Sequence, residues 1–284
     1  MSILQKPSLL IRLTRLEMKS MKLNQSLIAQ LRDQLTYLCS NHGLKSMKTG
    51  TEVEDMSFSE IELLRTISSG ILPLYVKIGG PEARNDIRNL IQLGVDGIIA
   101  PMIESPYSLK NFLVAFNQIK QEFANSQVEA GINLETITGY NQMHSIINHP
   151  LAVGLKQVTA ARTDLSGSLD LDPDDEYVLS LCADIVIACS SKGWITSVGG
   201  AIHPGIIETL IERIPSDRVN TRHMVISCQD IVNEPRQSLI ENLKFEIFLY
   251  RALSEDTSNE KRQQHKERAL TLENRLKKHA QFAV

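Results

Sequence analysis

The sequence predicts an α/β protein of the TIM-like (β/α) barrel class with additional C-terminal helices. From about residue 44, short apolar runs alternate with amphipathic helical stretches. Charged residues end four successive runs, at intervals of 27, 31 and 29 residues. Each interval is about one strand–helix unit, and repeated units of this kind predict a parallel sheet. Beyond residue 230 the pattern is helical only.

Seven runs have the composition of buried strands. They read LKSMKTGTEVE (44–54), LPLYVKIGG (72–80), GIIAPMIES (97–105), EAGINLET (129–136), LKQVTAARTDL (155–165), WITSVGG (194–200) and RVNTRHMVIS (218–227). Between them lie helical stretches such as PEARNDIRNLIQLG, where Pro81 suits the first turn and Gly94 follows the last. Ser105 is the expected N-cap of the next helix. A closed barrel needs eight strands, and we expect the eighth around residues 35–43 if it is present.

The four strand-end charges are Lys77, Glu104, Glu135 and Asp164. Their regular spacing favours a closed barrel and leaves an open, doubly wound sheet as the alternative. In both architectures ligands bind at the carboxyl ends of the strands. Four such residues in successive units therefore predict one shared site.

The sequence divides the whole chain into three predicted regions. Residues 1–43 form a basic tail and a leading helix, residues 44–228 form the barrel, and residues 229–284 form helices that pack or oligomerise. The first segment has no apolar run long enough for a signal peptide. In the last region SLIENLKFEIFLYRAL carries a broad apolar stripe, which we expect to be buried against the barrel or another subunit.

The amino-acid composition excludes several classes of partner and location for this protein. The 284-residue chain has a net charge of −3, so nucleic acid and acidic membranes are not expected partners. No run approaches the length of a membrane span. The four cysteines form no CxxC pair, which argues against a zinc site or a disulfide framework and fits a cytoplasmic protein.

Two carboxylates on adjacent strand ends predict a metal site. Adjacent parallel strands lie about 4.8 Å apart, so Glu135 and Asp164 would hold one hard divalent cation such as Mg²⁺ between them. If Arg162 and Asp164 lie on one strand, the i, i+2 rule puts both side chains on one face. A simple ion pair with Arg162 is the alternative.

Three motifs resemble the HpcH/HpaI aldolase and citrate lyase beta-subunit family of the phosphoenolpyruvate/pyruvate barrel superfamily. They are VKIGGPEARNDIRNLIQLGVDGIIAPMIES, INLETITGY and ARTDLSGSL, in the family's order and spacing. The resemblance implies a TIM-like barrel and a Mg²⁺ or Mn²⁺ site at Glu135 and Asp164. It also implies a small 2-keto acid, such as pyruvate or oxaloacetate, that chelates the metal. The keto acid's carboxylate would meet backbone N–H groups around Asp164, Leu165 and Ser166.

This sequence departs from the family pattern in two places. Lys77 stands where the family has an arginine that contacts the keto oxygen, and lysine lacks the bidentate fork. The family's early-strand histidine, a base in several aldolases, is absent. Glu52 and Glu54, which the i, i+2 rule places on one strand face, are the candidate bases.

Two arginines complete the set of candidate site residues. Arg162 would orient Asp164 or bind the substrate. Arg222, on the last predicted strand, would bind a distal anionic group or pair with a strand-end carboxylate. Glu104 would support the water shell of the metal or be structural.

The functional hypothesis is a divalent-metal-dependent carbon–carbon lyase or aldolase that acts through a pyruvate-type enolate. One alternative is phosphoenolpyruvate-type C–P or C–O bond chemistry at the same site, with the glycine pairs at 79–80 and 199–200 holding phosphate. Another is a non-catalytic barrel used as a scaffold subunit. Swapped C-terminal helices are familiar in the family, so the resemblance also implies a homo-oligomer.

Overall fold

The computed structural model describes residues 23–123, 126–256 and 260–280, and the basic segment at the start of the chain lies outside them. Its eight strands form one closed barrel in chain order, which confirms the predicted TIM-like barrel. The strands are β1 (Leu44–Gly50), β2 (Leu74–Lys77), β3 (Gly97–Ala100), β4 (Glu129–Leu134), β5 (Leu155–Ala161), β6 (Ile195–Gly199), β7 (Arg218–Asn220) and β8 (Met224–Ser227).

Helices cover the outside of the barrel. They are α1 (Gln25–Asn41), α2 (Phe58–Ser68), α3 (Arg84–Leu93), α4 (Pro106–Gln121), α5 (Ile137–Asn141), α6 (Met143–Ile147), α7 (Arg162–Gly167), α8 (Glu176–Ser190), α9 (Ile207–Arg213), α10 (Pro235–Glu255) and α11 (Arg262–Ala280), with a 3₁₀ turn at Pro150–Gly154. Ser105 caps α4 as predicted, and Gly94 ends α3 in the left-handed conformation at φ 74°. Pro81 lies in the turn before α3, which begins at Arg84.

The eighth strand comes from the last predicted run, and the expectation of a strand at 35–43 is wrong. Helix α1 continues to Asn41. The run RVNTRHMVIS instead folds into a hairpin, in which the Thr221 N–H donates to the Met224 carbonyl at 2.9 Å. β8 is antiparallel to both β7 and β1 and closes the barrel. The turn has no Gly, Pro, Asn or Asp between its strands, so the usual turn signal is missing from the sequence.

The strand register shows which side chains point into the barrel, because partners in a parallel ladder share a face. Lys48 pairs with Tyr75, Tyr75 with Gly97, and Gly97 with Glu129. The Tyr75 hydroxyl donates to Glu129 at 2.8 Å, and its ring would collide with a Cβ at Gly97. Tyr75 therefore fills the lower layer of the barrel, and the layer above it is left open.

The two long C-terminal helices close the remaining sides. α10 packs against α1, α9 and β8, and α11 packs on α10 and lies at the carboxyl end of the barrel. A buried contact between His265 and Glu60 (Nε2 to Oε1, 2.5 Å) fixes α11 to α2. None of the described helices is long and apolar enough to span a membrane.

His223 lies in the β7–β8 turn and is fully buried. Its Nδ1 is 3.1 Å from the Lys48 carbonyl and its Nε2 is 2.7 Å from the Tyr250 hydroxyl. Burial lowers the pKa of His223 from 6.5 to about 3, against the opposing effect of the Glu54 carboxylate. The ring is therefore neutral in the folded protein at ordinary pH.

We expect acid to destabilise the fold through His223. The unfolded chain takes up a proton on this ring as pH falls below 6.5, but the folded protein does so only near pH 3. Within this window the stability contribution of the neutral ring is lost, by up to about 1.4 kcal/mol per pH unit. Urea unfolding at pH 7, 6, 5 and 4 would measure the slope.

His223→Gln should flatten this pH dependence, whereas His144→Gln, at an exposed histidine, should leave it unchanged. Parallel stability curves for wild type and His223→Gln would contradict the assignment.

Candidate active site

A cavity of about 510 Å³ opens at the carboxyl ends of the strands. The barrel lines it with charged and amide side chains, and the C-terminal helices cover it from the other side. Its polar lining includes Lys48, Glu54, Lys77, Asn133, Glu135, Thr159, Asp164, Asn220 and Arg222 from the barrel and its loops, and Glu246, Tyr250, Arg268 and Arg275 from α10 and α11. Five of the predicted site residues thus line one cavity, namely Glu54, Lys77, Glu135, Asp164 and Arg222.

Glu135 follows β4 and is only 2% exposed. Its Oε1 accepts from the Met102 backbone N–H at 2.7 Å, and its Oε2 accepts from the Asn133 amide at 2.9 Å. Burial raises the pKa of Glu135 above its usual range, and the nearby Asp164 carboxylate adds to this rise. Glu135 and Asp164 both line this cavity.

Backbone strain accumulates in the loops at this end of the barrel. Met102 has φ 52°, Asp55 has φ 48° and Ala201 has φ 49°, all in the left-handed region that L-residues with side chains seldom adopt. Each costs of the order of 1 kcal/mol, and such strain clusters at functional sites. At Met102 this conformation accompanies the N–H donation to Glu135. No sequence signal marks Met102, because methionine is not a turn residue.

Lys77 is the last residue of β2, and its Nζ lies 2.8 Å from Oε2 of Glu52. Burial lowers the pKa of Lys77, but the carboxylates of Glu54, Glu52 and Glu135 outweigh it and the net pKa is raised. Lys77 is therefore a cation held among acidic groups at the mouth of the barrel.

The expectation that Glu52 and Glu54 share a strand face is wrong, because β1 ends at Gly50 and both residues lie in the following turn. Glu54 lines the cavity and is 5% exposed, whereas Glu52 is outside the lining and pairs with Lys77. Within the described chain, Oε2 of Glu54 has no hydrogen-bond partner. A Cβ at Gly50 would collide with this oxygen, so glycine makes room for the carboxylate.

The ionisation of Glu54 is set by its surroundings. Burial raises the pKa of Glu54, but the positive charges of Lys48 and Lys77 outweigh this effect, so the net pKa lies below the usual range. The carboxylate is therefore charged at neutral pH despite its burial.

The expectation that Arg162 and Asp164 lie on one strand is also wrong. β5 ends at Ala161, and both residues lie in the first turn of α7. Arg162 is fully buried and is not among the residues that line the cavity. Its guanidinium donates to the Pro173 carbonyl (2.9 Å), to Asp174 (2.6 Å) and to the Gly200 carbonyl (2.8 Å). It joins α7 to the loops after α7 and β6, and this fixes the helix that carries Asp164.

The predicted substrate-binding residues divide into two groups. Leu165 and Ser166 are buried outside the cavity lining, and the Ser166 hydroxyl donates to the Thr163 carbonyl at 3.0 Å. Thr163, one turn earlier, lines the cavity in their place. Arg222 lies in the turn between β7 and β8, not on a strand as predicted, and it lines the cavity.

Lys48 is the main site residue that sequence reasoning missed. It lies on β1 and lines the cavity, and its ammonium group makes no hydrogen bond or ion pair with any residue in the described ranges. Burial lowers the pKa of Lys48, while the Glu54 carboxylate opposes this effect. A signal was available: Lys48 stands two residues before Gly50 and shares its face, so a continuous β1 places it inside the barrel.

Glu104 lies apart from the cavity lining. It follows β3, and its Oε1 accepts a hydrogen bond from the Thr136 hydroxyl at 2.6 Å. This contact ties the loop after β3 to the loop after β4, which favours the structural alternative for this residue.

These features define a class of protein, an eight-stranded (β/α) barrel with a cavity of mixed charge at the carboxyl ends of its strands. The fold is similar to that of an HpcH/HpaI aldolase from Desulfitobacterium hafniense DCB-2, with a TM-score of 0.51 and 16% identity over 64% of this chain and 78% of that chain. It is also similar to a citrate synthase, SbnG, with a TM-score of 0.52 and 15% identity over 76% of this chain and 89% of that chain.

No family model and no curated protein matches the sequence. The solved structures nevertheless show that this chain has the fold of the HpcH/HpaI aldolase and citrate lyase family, and this confirms the resemblance at the level of the fold.

Arg162→Lys should destabilise the protein by about 2 kcal/mol, because lysine keeps the charge but cannot satisfy the carbonyls and the carboxylate that the buried guanidinium binds. Chemical unfolding would measure the change.

Arg213→Lys, in the exposed pair with Glu176, is the matched control and should leave stability unchanged. Equal stability of wild type and Arg162→Lys would show that the guanidinium contacts do not fix α7.

Proposed function

We propose that the protein is a carbon–carbon lyase or aldolase that acts on a small 2-keto acid or its aldol adduct, with a divalent cation, Mg²⁺ or Mn²⁺, as cofactor. The observation that carries this proposal is the pair of carboxylates, Glu135 and Asp164, that line one cavity with two lysines. The fold shared with the structures above supports the same class of reaction.

The donor set fits a hard cation. Each Glu135 oxygen accepts one hydrogen bond and keeps a lone pair, and Asp164 lines the same cavity. In the described ranges no group of three or more His, Cys, Asp or Glu side chains is placed to hold a metal ion. Two carboxylates are nevertheless the usual protein share for Mg²⁺, with water and substrate as the other ligands. A bound cation supplies Lewis-acid stabilisation of the negative charge that develops on the keto oxygen.

The lysines bind the acid end of the substrate. The ammonium group of Lys48 has no hydrogen-bond or ion-pair partner among the described residues, so it is available to the substrate carboxylate. Lys77 is held by Glu52 and brings a second positive charge to the same space. A bound carboxylate favours the charged form of Lys48 and offsets the effect of burial on its pKa.

Glu54 is the proposed base. It is ionised at neutral pH, it faces the cavity, and its Oε2 is free of hydrogen bonds from the described residues. In the cleavage direction it would accept the hydroxyl proton of the aldol adduct while the C–C bond breaks. In the condensation direction it would return this proton to the new alkoxide. Residues of α11 form one wall of the cavity.

The alternative of phosphoenolpyruvate chemistry receives less support. A phosphate cradle at Gly79 and Gly80 requires free backbone N–H groups, but the Gly79 N–H donates to Asp86 at 2.9 Å. Gly199 and Gly200 do line the cavity, and this keeps the alternative testable. The scaffold alternative differs from the proposed function because it requires no bound divalent cation.

Titration of Mn²⁺ into metal-free protein should show binding that pyruvate strengthens. Asp164→Ala removes one of the two carboxylate ligands and should weaken Mn²⁺ binding about 100-fold, roughly 2.7 kcal/mol. Calorimetry measures both effects.

Glu104→Gln changes a strand-end carboxylate outside the cavity, so Mn²⁺ should bind this control variant as it binds wild type. An absence of Mn²⁺ binding to folded wild-type protein would rule out the metal–enolate proposal and favour a scaffold.

Glu54→Gln should slow the cleavage of an aldol adduct by a factor of about 10²–10⁴, because the amide cannot accept the hydroxyl proton. The pyruvate adduct 4-hydroxy-4-methyl-2-oxoglutarate is a suitable first probe, with pyruvate release as the signal. The affinity for Mn²⁺ and pyruvate should stay within about threefold of wild type, since Glu54 is not a proposed ligand.

Glu52→Gln separates the two candidate bases. It weakens the pairing of Lys77 and should raise KM more than it lowers kcat. If Glu52→Gln abolishes turnover while Glu54→Gln does not, the base is Glu52.

A further inference from the structure

One face of α11 forms the outer wall of the cavity. Arg268, Thr271, Leu272 and Arg275 line it, at positions i, i+3, i+4 and i+7 of a single helical stripe. The two arginines are thus about 10 Å apart along the helix axis. α11 is held in place from both sides, by the buried His265–Glu60 contact and by the Arg251–Glu273 ion pair at 2.7 Å.

The two arginines on this face have different surroundings. Arg268 donates to the Glu54 carbonyl at 2.6 Å and to the Val53 carbonyl at 3.2 Å. Its guanidinium also lies 5.9 Å from the centre of the Tyr250 ring. Arg275 is half-buried, and its guanidinium group makes no hydrogen bond or ion pair with the described part of the chain. Arg268 therefore holds the helix against the barrel, whereas the donors of Arg275 are uncommitted.

Arg222 reaches the same cavity from the barrel. It lies in the turn between β7 and β8, and it likewise has no hydrogen-bond or ion-pair partner among residues 23–123, 126–256 and 260–280. The buried Arg162, by contrast, donates to four acceptors. The guanidinium groups of Arg222 and Arg275 thus bring uncommitted donors to the mouth of the barrel.

A guanidinium group recognises carboxylate or phosphate through two parallel N–H donations. Two of them line the cavity that also contains the proposed cation ligands and the lysines, so together they suit an anionic group on the far part of the substrate. We infer that Arg222 and Arg275 form a second anion-binding subsite, and that the substrate is a 2-keto acid adduct with a distal carboxylate or phosphate. This inference rests on the proposed function, because it takes the keto-acid end to lie at Glu135 and Asp164.

Matched ligands test the subsite directly. 2-Oxoglutarate and 2-oxopentanoate have the same chain length and differ in the terminal carboxylate, as do oxaloacetate and 2-oxobutyrate. Calorimetry with Mn²⁺-loaded protein should show that the dianion of at least one pair binds about 30-fold more tightly than its monoanionic partner. Arg275→Gln and Arg222→Gln should each weaken the binding of the dianion about tenfold. The affinity for the monoanion should stay within about twofold of wild type.

Lys277→Gln is the matched control, since Lys277 is an exposed cation on the same helix and is not among the residues that line the cavity. It should leave both affinities unchanged. Competition by inorganic phosphate identifies the distal group. If inorganic phosphate displaces the dianion but not the monoanion, the distal group is a phosphate. If phosphate does not compete and the dianion still binds more tightly than the monoanion, the distal group is a carboxylate.

The outcomes separate this inference from the proposed function. Equal binding of dianion and monoanion to wild type, or an equal loss of both in Arg275→Gln, would overturn the subsite and leave the keto-acid site intact. Failure of every keto acid to bind to Mn²⁺-loaded, folded protein would overturn the proposed function, and the subsite with it.

Discussion

A balance of buried charges at the mouth of the barrel governs the arrangement of the site. Glu54 is almost fully buried, yet the lysines beside it keep its pKa low. The carboxylates in turn keep Lys77 protonated against the effect of burial. Neither the buried carboxylates nor the buried lysines would be stable there without the other, because an uncompensated buried charge costs several kcal/mol. The strand ends of β1 and β2 and the turn after β1 therefore act as one electrostatic unit, which fixes where a further anion or cation finds a counter-charge.

Helix α11 is hydrogen-bonded to backbone carbonyls in the turn after β1, which belongs to this electrostatic unit. Arg268 of α11 donates to the carbonyls of Val53 and Glu54, in the turn that carries the Glu54 carboxylate. The helix that covers the cavity and the loop that carries the proposed base are thus held together by two hydrogen bonds. Any change in the position of α11 acts on Glu54 as well as on access to the cavity. The C-terminal region is therefore part of the site and more than an outer packing layer.

Much of the fold was predictable, because strand–helix alternation and apolar periodicity are local features of sequence. That Glu135 and Asp164 line one cavity was predictable for the same reason, since successive parallel strands end at one edge, although Asp164 lies in α7 and not on the strand. The errors occur where local pattern does not determine the end of a strand. β1 stops at Gly50 and β5 at Ala161, although the sequence continues with residues that suit a strand. Residues from α11 were beyond sequence reasoning, because their position depends on tertiary packing across the whole chain.

The antiparallel last strand has a consequence for the site. Because β8 is antiparallel to β7, the turn between these two strands, and not the carboxyl end of β8, faces the cavity. The residues on both sides of Arg222 are fixed, since Oε1 of the buried Glu246 accepts from the Thr221 hydroxyl and from the His223 N–H, each at 2.5 Å. The backbone on both sides of Arg222 is thereby held in place, so binding at the proposed subsite would need to order only the side chain. Presentation from a rigid turn lowers the entropic cost of binding, so the element that closes the barrel also favours anion recognition.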